Sequence, residues 1–186
     1  AIENPESYAG DSSQDSVPDV VAKYTMKGDW GNVSIAGLAR QLNTASGESE
    51  SAVGFGISGR INSFGKDDFR FAVHGGNTGR YVGAAAATDL HNYTEPTTTE
   101  VTETVLIDGE LTEITRTVEG TRVVRTEVEE TTSYMVAYRH FWTETLRSTA
   151  YFGSTETEES DRERNHWAVN IFNNVTKELS YGLEVG

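Results

Sequence analysis

The stretch "AVGFGISGRINSFGKDDFRFAVHGG", residues 52–76, alternates apolar residues with small or polar residues at every second position. A period of two is typical of β-strands that have one apolar face. It predicts two strands, 52–62 and 68–76, joined by a short turn that contains glycine. Each strand places an arginine, Arg60 or Arg70, on the face opposite its aromatic and aliphatic residues. These arginines decide which face of the sheet is expected to contact water.

The same alternation recurs along the chain, and helical periodicity is nearly absent, so the predicted fold class is all-β. Short turns alternate with longer links, which is the arrangement of an antiparallel up-and-down transmembrane β-barrel. The long links are expected at 43–51, 77–133 and 155–164. The eight main strands are predicted at 19–27, 32–42, 52–62, 68–76, 134–142, 146–154, 165–175 and 178–186.

The link 77–133 is rich in Thr, Val and Glu, which favour a solvated β structure. Asp108-Gly109 and Glu119-Gly120 lie at turn spacing and predict a protruding, three-stranded extracellular excursion. A solvated acidic loop without regular structure is the alternative, and no spaced Asp motif for calcium is found in it. We therefore expect one β-barrel domain or fragment, 1–186, with 77–133 as an extended loop or hairpin insertion.

Composition restricts the class of protein. The chain has 186 residues, 36% hydrophobic residues and no cysteine, which excludes disulfides and thiol chemistry. No apolar run reaches the roughly 18 residues of a transmembrane helix, whereas a membrane strand needs only about 9–11 residues. The net charge of −14 argues against a nucleic-acid partner, since phosphates favour a basic surface.

The acidic total conceals a basic strand face. Acidic residues concentrate in the predicted loops, and Glu184 is the one acid expected on the polar face. The basic residues predicted on that face are Lys23, Arg40, Arg60, Arg70, Arg139 and Arg147. Arg80 and Tyr81 follow a glycine-rich entry to the long link and are candidates for lining a constriction.

Two interpretations of this basic face stay open at this point. On a soluble sheet the arginines would form a solvated outer surface, but no amphipathic helix is visible to cover the apolar face. In a membrane barrel the apolar face contacts acyl chains and the arginines line a wet lumen, where fixed positive charge favours anions. Aromatic residues near the strand ends fit the interfacial girdles of such a barrel: Tyr24, Trp30, Tyr138, Trp142, Trp167 and Tyr181.

Several segments resemble the later part of the DcaP-like outer-membrane porin family, over most of the chain except the insertion 95–132. They are "IENPES" (2–7), "DSVPDVVAKYTMKGDWGNVSIAGLARQLN" (15–43), "FGISGRI" (55–61), "DDFRFAVHGGNTGRYVG" (67–83) and "VAYRHFWTETLRSTAYFG" (136–153). The resemblance implies a trimeric sixteen-stranded barrel in the bacterial outer membrane that takes up small anions such as dicarboxylates. Its partners would be those solutes, outer-membrane lipid or lipopolysaccharide, and further copies of the chain.

The sequence departs from that pattern in length. Sixteen strands need about twice this chain, and the last residues, "YGLEVG", lack a terminal aromatic residue. We therefore expect either a fragment of the larger barrel or eight strands that close into a smaller barrel filled by side chains.

The sequence gives little support for a catalytic or metal-binding function. The four histidines, His74, His91, His140 and His166, show no metal-ligand spacing and no nucleophile partner, so an enzyme is the least favoured class and no cofactor is expected. The main alternative to an anion channel is a binding or structural β protein, either a soluble sandwich or an adhesin-like cell-surface protein. A requirement for detergent would separate these two classes.

Overall fold

The computed structural model describes residues 1–3, 17–44, 49–82, 88–107 and 110–186. One short helical turn, α1, spans Gly79–Val82. Among these described residues no helix is long and apolar enough to cross a membrane. The strands are β1 (Ile2–Glu3), β2 (Asp19–Gly28), β3 (Gly31–Asn43), β4 (Ser49–Asn62), β5 (Asp68–Gly76), β6 (Leu90–Ile107), β7 (Glu110–Val128), β8 (Thr131–Phe141), β9 (Leu146–Thr157), β10 (Arg162–Asn174) and β11 (Ser180–Val185).

Nine of these strands form one antiparallel sheet in the order β1-β2-β3-β4-β5-β8-β9-β10-β11. Each main strand pairs with its neighbour in sequence, except that β6 and β7 leave the sheet between β5 and β8. The predicted all-β, antiparallel class and its eight main strands are therefore confirmed. Within the described residues the sheet is open, because β11 pairs with β10 alone and β1 covers only the start of β2.

The connections define two ends of the sheet. The turn end carries the links 29–30, 63–67, 142–145 and 175–179, and the loop end carries the links that follow Asn43, Gly76 and Thr157. The predicted long links at 43–51 and 155–164 are wrong in length, since β4 starts at Ser49 and β9 reaches Thr157. At these strand ends polar residues pair across the ladder, as Asn43 does with Ser49 and Thr131 with Thr157. Because no apolar residues alternate there, the sequence pattern does not mark these strand ends.

One face of the sheet is apolar across all eight main strands. Side chains that share this face meet in register: Ile35 opposes Tyr24 on one side and Ile57 on the other, and Ile57 opposes Val73. The row continues through Phe71, Val136, Phe152, Trp167, Val169 and Val185. No second layer of the described residues covers this face, on which Phe55 is 60% exposed and Leu183 is 77% exposed.

The opposite face is polar and more deeply buried. Along β8 and β10, Ala137 and Ala168 on the polar face are 9% and 2% exposed, whereas their neighbours Val136 and Val169 on the apolar face are 40% and 50% exposed. This difference indicates that the sheet curves with its polar face on the inside. The usual arrangement of a soluble protein, with apolar side chains inside and polar side chains outside, is thus inverted in this sheet.

The insertion is a two-stranded antiparallel hairpin of β6 and β7 with one bulge beside Tyr93. Its first cross-strand pair joins Leu90 to Val128, and its last joins Ile107 to Glu110. At about 3.3 Å per residue each strand is roughly 60 Å long. The predicted three-stranded excursion is wrong, because Gly120 lies inside β7 opposite Thr97 and makes no turn. The other predicted turn, at 108–109, lies outside the described residues.

Candidate functional site

The strand register places on the polar face six of the seven basic residues that the sequence singled out. Arg60 opposes Arg70 directly, and each of the others lies at an even number of positions from a residue that opposes this face on the neighbouring strand. Five of the six lie away from the loop end. These five residues, called the basic face below, are Lys23, Arg60, Arg70, Arg139 and Arg147. The sixth, Arg40, lies on this face at the loop end, where it belongs with Arg80 to a separate network.

At the centre of the basic face, Arg60 of β4 and Arg70 of β5 lie directly opposite one another. Like charges at this position oppose strand pairing, so the fold retains a local electrostatic cost here. Both line an open cavity of about 410 Å³, which Lys23, Asn32, two serines and several apolar residues also line. The Nε of Arg60 is buried and has no hydrogen-bond partner among the described residues.

A second cavity, of about 460 Å³, lies next to the first and is lined by residues of β5, β8, β9 and β10. Arg70, Arg139 and Arg147 reach it, together with apolar and hydroxyl groups. The Arg139 guanidinium lies over the Phe141 ring at 5.1 Å, and the Arg147 guanidinium lies over the Phe172 ring at 5.4 Å. Such stacking holds a guanidinium flat and leaves its edge free to donate hydrogen bonds.

Asp68 is an acid on the basic face that the sequence analysis missed. Its Oδ1 accepts a hydrogen bond from Arg70 Nε at 2.8 Å, and its Oδ2 forms an ion pair with Arg139. Glu184 is therefore not the only acid there, although it does lie on this face and binds Asn170 at 2.9 Å. Asp68 is the first residue of the predicted strand 68–76, and its spacing of two from Arg70 along β5 places both side chains on one face.

Arg40 is not available to solvent or solutes. Its side chain is fully buried at the loop end, where Nη1 lies 2.9 Å from Asp89 Oδ1 and Nη2 lies 3.3 Å from Asp19 Oδ2. Nη1 also donates to Asn77 Oδ1 at 2.9 Å. Arg80 adds a second cation, with Nη1 3.6 Å from Asp19 Oδ2. Two arginines and two aspartates thus form ion pairs within one network, called the loop-end network below.

The loop-end network holds the segment 77–81 against the polar face. The Tyr81 hydroxyl donates to Asp19 at 2.8 Å, and burial together with this bond raises the pKa of Tyr81 above its ordinary value. Beneath the segment lies Gly54, where an added Cβ would come within 2.6 Å of Thr78. A glycine is therefore required for this close approach. The segment lies on the same face as the five residues of the basic face.

The residues flanking the β6–β7 hairpin are both fully buried carboxylates, Asp89 and Glu129. Asp89 binds Arg40 and accepts the Arg80 backbone N–H at 3.1 Å. Glu129 accepts the backbone N–H groups of Glu159 and Ser160 at 2.7 and 3.0 Å. The root of the hairpin is therefore fixed to two different loops by charge-assisted hydrogen bonds.

Three residues beyond Leu90, Tyr93 of β6 contacts the link between β9 and β10. Its hydroxyl donates to Glu159 at 2.5 Å, and its ring lies 4.0 Å from the Arg125 guanidinium. The shared hydrogen bond lowers the pKa of Glu159 and raises the pKa of Tyr93. These contacts extend the rigid mounting of the hairpin beyond Asp89 and Glu129.

At the turn end, Asp67 organises a cluster of aromatic residues. Its carboxylate accepts hydrogen bonds from Phe141 N at 2.8 Å, Tyr138 Oη at 2.8 Å and His140 Nδ1 at 2.6 Å. The Phe141 N–H is the largest of the effects that lower the pKa of Asp67 to about 2, and the His140 hydrogen bond is the next. Trp142 packs edge-on against His140, with ring centroids 4.4 Å apart.

Exposed aromatic residues surround this cluster. Of the six predicted for the strand ends, Trp30 and Trp142 lie in turns at the turn end, and Tyr138 and Tyr181 lie close to it. Phe64, which the sequence analysis did not select, is 84% exposed in the neighbouring turn. Trp167 lies nearer the loop end, opposite Phe152.

The histidines do not converge. Within the described part of the chain, no group of three His, Asp or Glu side chains is placed to hold a metal ion. His74 lies on the polar face 3.3 Å from Ser133 Oγ, and His166 lies 3.5 Å from Tyr151 Oη. No protein-family model, no characterised protein and no solved structure matches this chain.

Proposed function

We propose that this chain forms part of the wall of an outer-membrane β-barrel channel that conducts small anions. The observation that carries the proposal is the inverted sheet, with one continuous, exposed apolar face and a basic face on its inner side. Hydrocarbon is the environment that satisfies such an apolar face without a second protein layer. Outer-membrane lipid, including lipopolysaccharide, would be its partner.

In this proposal the basic face lines the lumen. Five cations face one another there with Asp68 and Glu184 as counter-charges, so a net positive potential remains. A water-filled path between low-dielectric walls focuses this potential and lowers the energy of an entering anion. Guanidinium groups in addition match carboxylates bidentately, which favours small carboxylates among the anions.

The loop end would be the narrow part of that lumen. Segment 77–81 lies on the lumen side of the sheet and is fixed by buried ion pairs, so Arg80 and Tyr81 would border the path. The exposed backbone edges of β2 and β11 have to be paired in lipid. Further strands of a longer protein or further copies of the chain would close the barrel, and the resemblance to DcaP-like porins favours sixteen strands and a homotrimer.

Reversal potentials in a salt gradient across a planar bilayer test the channel. We expect anion preference in the unmodified protein, a reduced preference in Arg60→Gln, and no change in the matched control Arg116→Gln, which removes an arginine from the exposed hairpin. Tyr81→Ala should raise the conductance. Cation preference in the unmodified protein, or equal selectivity in all variants, would contradict the proposal.

A second candidate is an adhesin-like cell-surface protein without a pore. The observation that favours it is the hairpin itself, which projects roughly 60 Å and exposes both faces. The two candidates differ in conductance, since an adhesin anchored by the same sheet would give no stepwise current. A soluble sandwich, in contrast, would remain monodisperse without detergent.

A further inference from the structure

The β6–β7 hairpin is fixed at its root, and along most of its length no other part of the described chain packs against it. Its root is fixed by Asp89 and Glu129, which are fully buried, and by the contact between Tyr93 and Glu159. Beyond the root, apolar side chains are exposed, including Val118 at 50% and Leu111 at 76%. An isolated two-stranded ladder is marginally stable in water, and a third strand is usually needed to stabilise it.

Both outer edges of the hairpin are available for that third strand. In the described residues β6 pairs only with β7, so the outward backbone N–H and C=O groups of both strands have no strand partner. Long unpaired edges of this kind accept strands from other chains. The charges on the two strands indicate which strand fits.

Specific ion pairs join the two strands, although both strands carry acids. β6 holds Glu95, Glu100 and Glu103 and no Lys or Arg, whereas β7 holds all three arginines of the hairpin together with four glutamates. Within the chain, Arg116 Nη2 lies 2.5 Å from Glu103 Oε2, and Arg122 Nη2 lies 3.7 Å from Glu95 Oε2.

The remaining acids of the hairpin do not oppose acids either. In the intrachain register their partners are Thr104 for Glu113, Thr98 for Glu119, Thr117 for Glu100, His91 for Glu127 and Ile107 for Glu110. No acid therefore opposes another acid across the described ladder. The observed β6–β7 ladder thus contains no directly opposed acids in its register.

We infer that the hairpin is an interaction surface for a second copy of this chain, with the outer edge of β7 pairing antiparallel with the outer edge of β6 of the next copy. The inner edge of β7 already pairs with β6 of its own chain. In the proposed contact, the outer edge of β7 pairs with the same β6 sequence from the next copy. The contact is heterologous, and it joins copies that stand side by side in the same orientation. Opposition of β6 to β6 would bring together two strands that carry acids and no Lys or Arg, which disfavours that alternative.

Disulfide trapping tests the contact, because the chain has no cysteine of its own. Thr102 and Thr115 are exposed and oppose each other in the ladder, with their Oγ1 atoms 3.1 Å apart. Full-length Thr102→Cys and full-length Thr115→Cys, purified separately, are mixed and oxidised. We expect several-fold more covalent dimer in the mixture than in either protein alone.

The other outcomes are equally decisive. If a single variant alone forms as much dimer as the mixture, like strands pair symmetrically and the inference is overturned. The control is a mixture of Thr143→Cys and Thr176→Cys, which places both cysteines at the turn end. The inference is also overturned if the hairpin mixture gives no more dimer than this control. The double variant Thr102→Cys/Thr115→Cys should close within one chain, and its failure to do so would refute the hairpin ladder itself. The readout does not depend on conductance, so failure of the channel proposal and failure of this inference are distinguishable.

Discussion

At the scale of single residues, Asp67 couples the stability of the turn end to pH. Its pKa is lowered from 3.8 to about 2, so folding favours the ionised form. The stabilisation is complete above pH 3.8 and is lost as the pH falls toward 2. We expect the difference in unfolding temperature between the unmodified protein and Asp67→Asn to be largest at neutral pH and to shrink across this interval.

The comparison needs a carboxylate in a similar turn without such contacts. Asp29→Asn serves this purpose, since Asp29 is exposed in the link between β2 and β3. Its unfolding temperature should follow that of the unmodified protein at every pH. A difference for Asp67→Asn that stays constant down to pH 2 would show that the carboxylate charge does not stabilise the turn.

Arg40 and Arg147 illustrate how differently two arginines act in one sheet. Arg40→Ala leaves Asp19 and Asp89 buried without their main counter-ion, and removal of one partner from such a site costs about 3–5 kcal/mol. Arg147 is only partly buried and donates to Asn174 at 2.9 Å, so Arg147→Ala should cost about 1 kcal/mol or less. Denaturant unfolding of the two variants measures this contrast, and equal losses would contradict the buried network.

At the scale of the strands, alternation was sufficient to place the elements and their faces. Apolar positions such as Ile57 and Val73 mark both the strand and its outer face, because a period of two admits one register. The ends of the strands were missed because polar residues such as Thr157 continue the ladder without an apolar signal. The hairpin was misjudged for a related reason: a glycine at turn spacing, Gly120, lies in an ordinary strand position, where an added Cβ would lie 4.0 Å from the Thr97 methyl group.

Two adjacent residues of β4 test which face contacts lipid. Ile57 lies on the apolar face and Ser58 on the polar face, both near the middle of the strand. In a membrane, Ile57→Arg should cost about 2–4 kcal/mol of folding free energy, whereas Ser58→Arg should change little. Urea titration of folding into lipid vesicles measures both values. An Ile57→Arg protein that folds without detergent and with unchanged stability would exclude lipid contact at this face.

At the scale of the whole molecule, the sequence predicted the sheet but not the network that holds its loop end. Asp89 and Glu129 lie next to the hairpin in sequence, yet their partners are Arg40 in β3 and the link after β9. Carboxylates in an acidic, Thr-rich stretch read as solvated, since nothing in the local pattern indicates burial. Contacts between segments so distant in sequence arise only when the meander brings three loops to one end.

This organisation makes the hairpin separable from the sheet. Thr94 and Val123 are cross-strand partners, so replacing 95–122 by Asn-Gly closes the hairpin close to its root and keeps Leu90 and Tyr93 in place. The link from β5 to β8 then becomes about half as long, which favours folding by about 0.6 kcal/mol. We expect the unfolding free energy of the shortened protein to equal or slightly exceed that of the unmodified protein.

The matched control alters the root of the hairpin and leaves residues 95–122, called the shaft here, intact. Glu129→Ala removes the acceptor for two backbone N–H groups in the 158–161 turn, and should cost about 1–3 kcal/mol. Denaturant titration of both proteins in the same detergent gives the comparison. A shortened hairpin that destabilises the protein more than Glu129→Ala would mean that the shaft, through contacts with further copies, contributes more to folding than the buried root does.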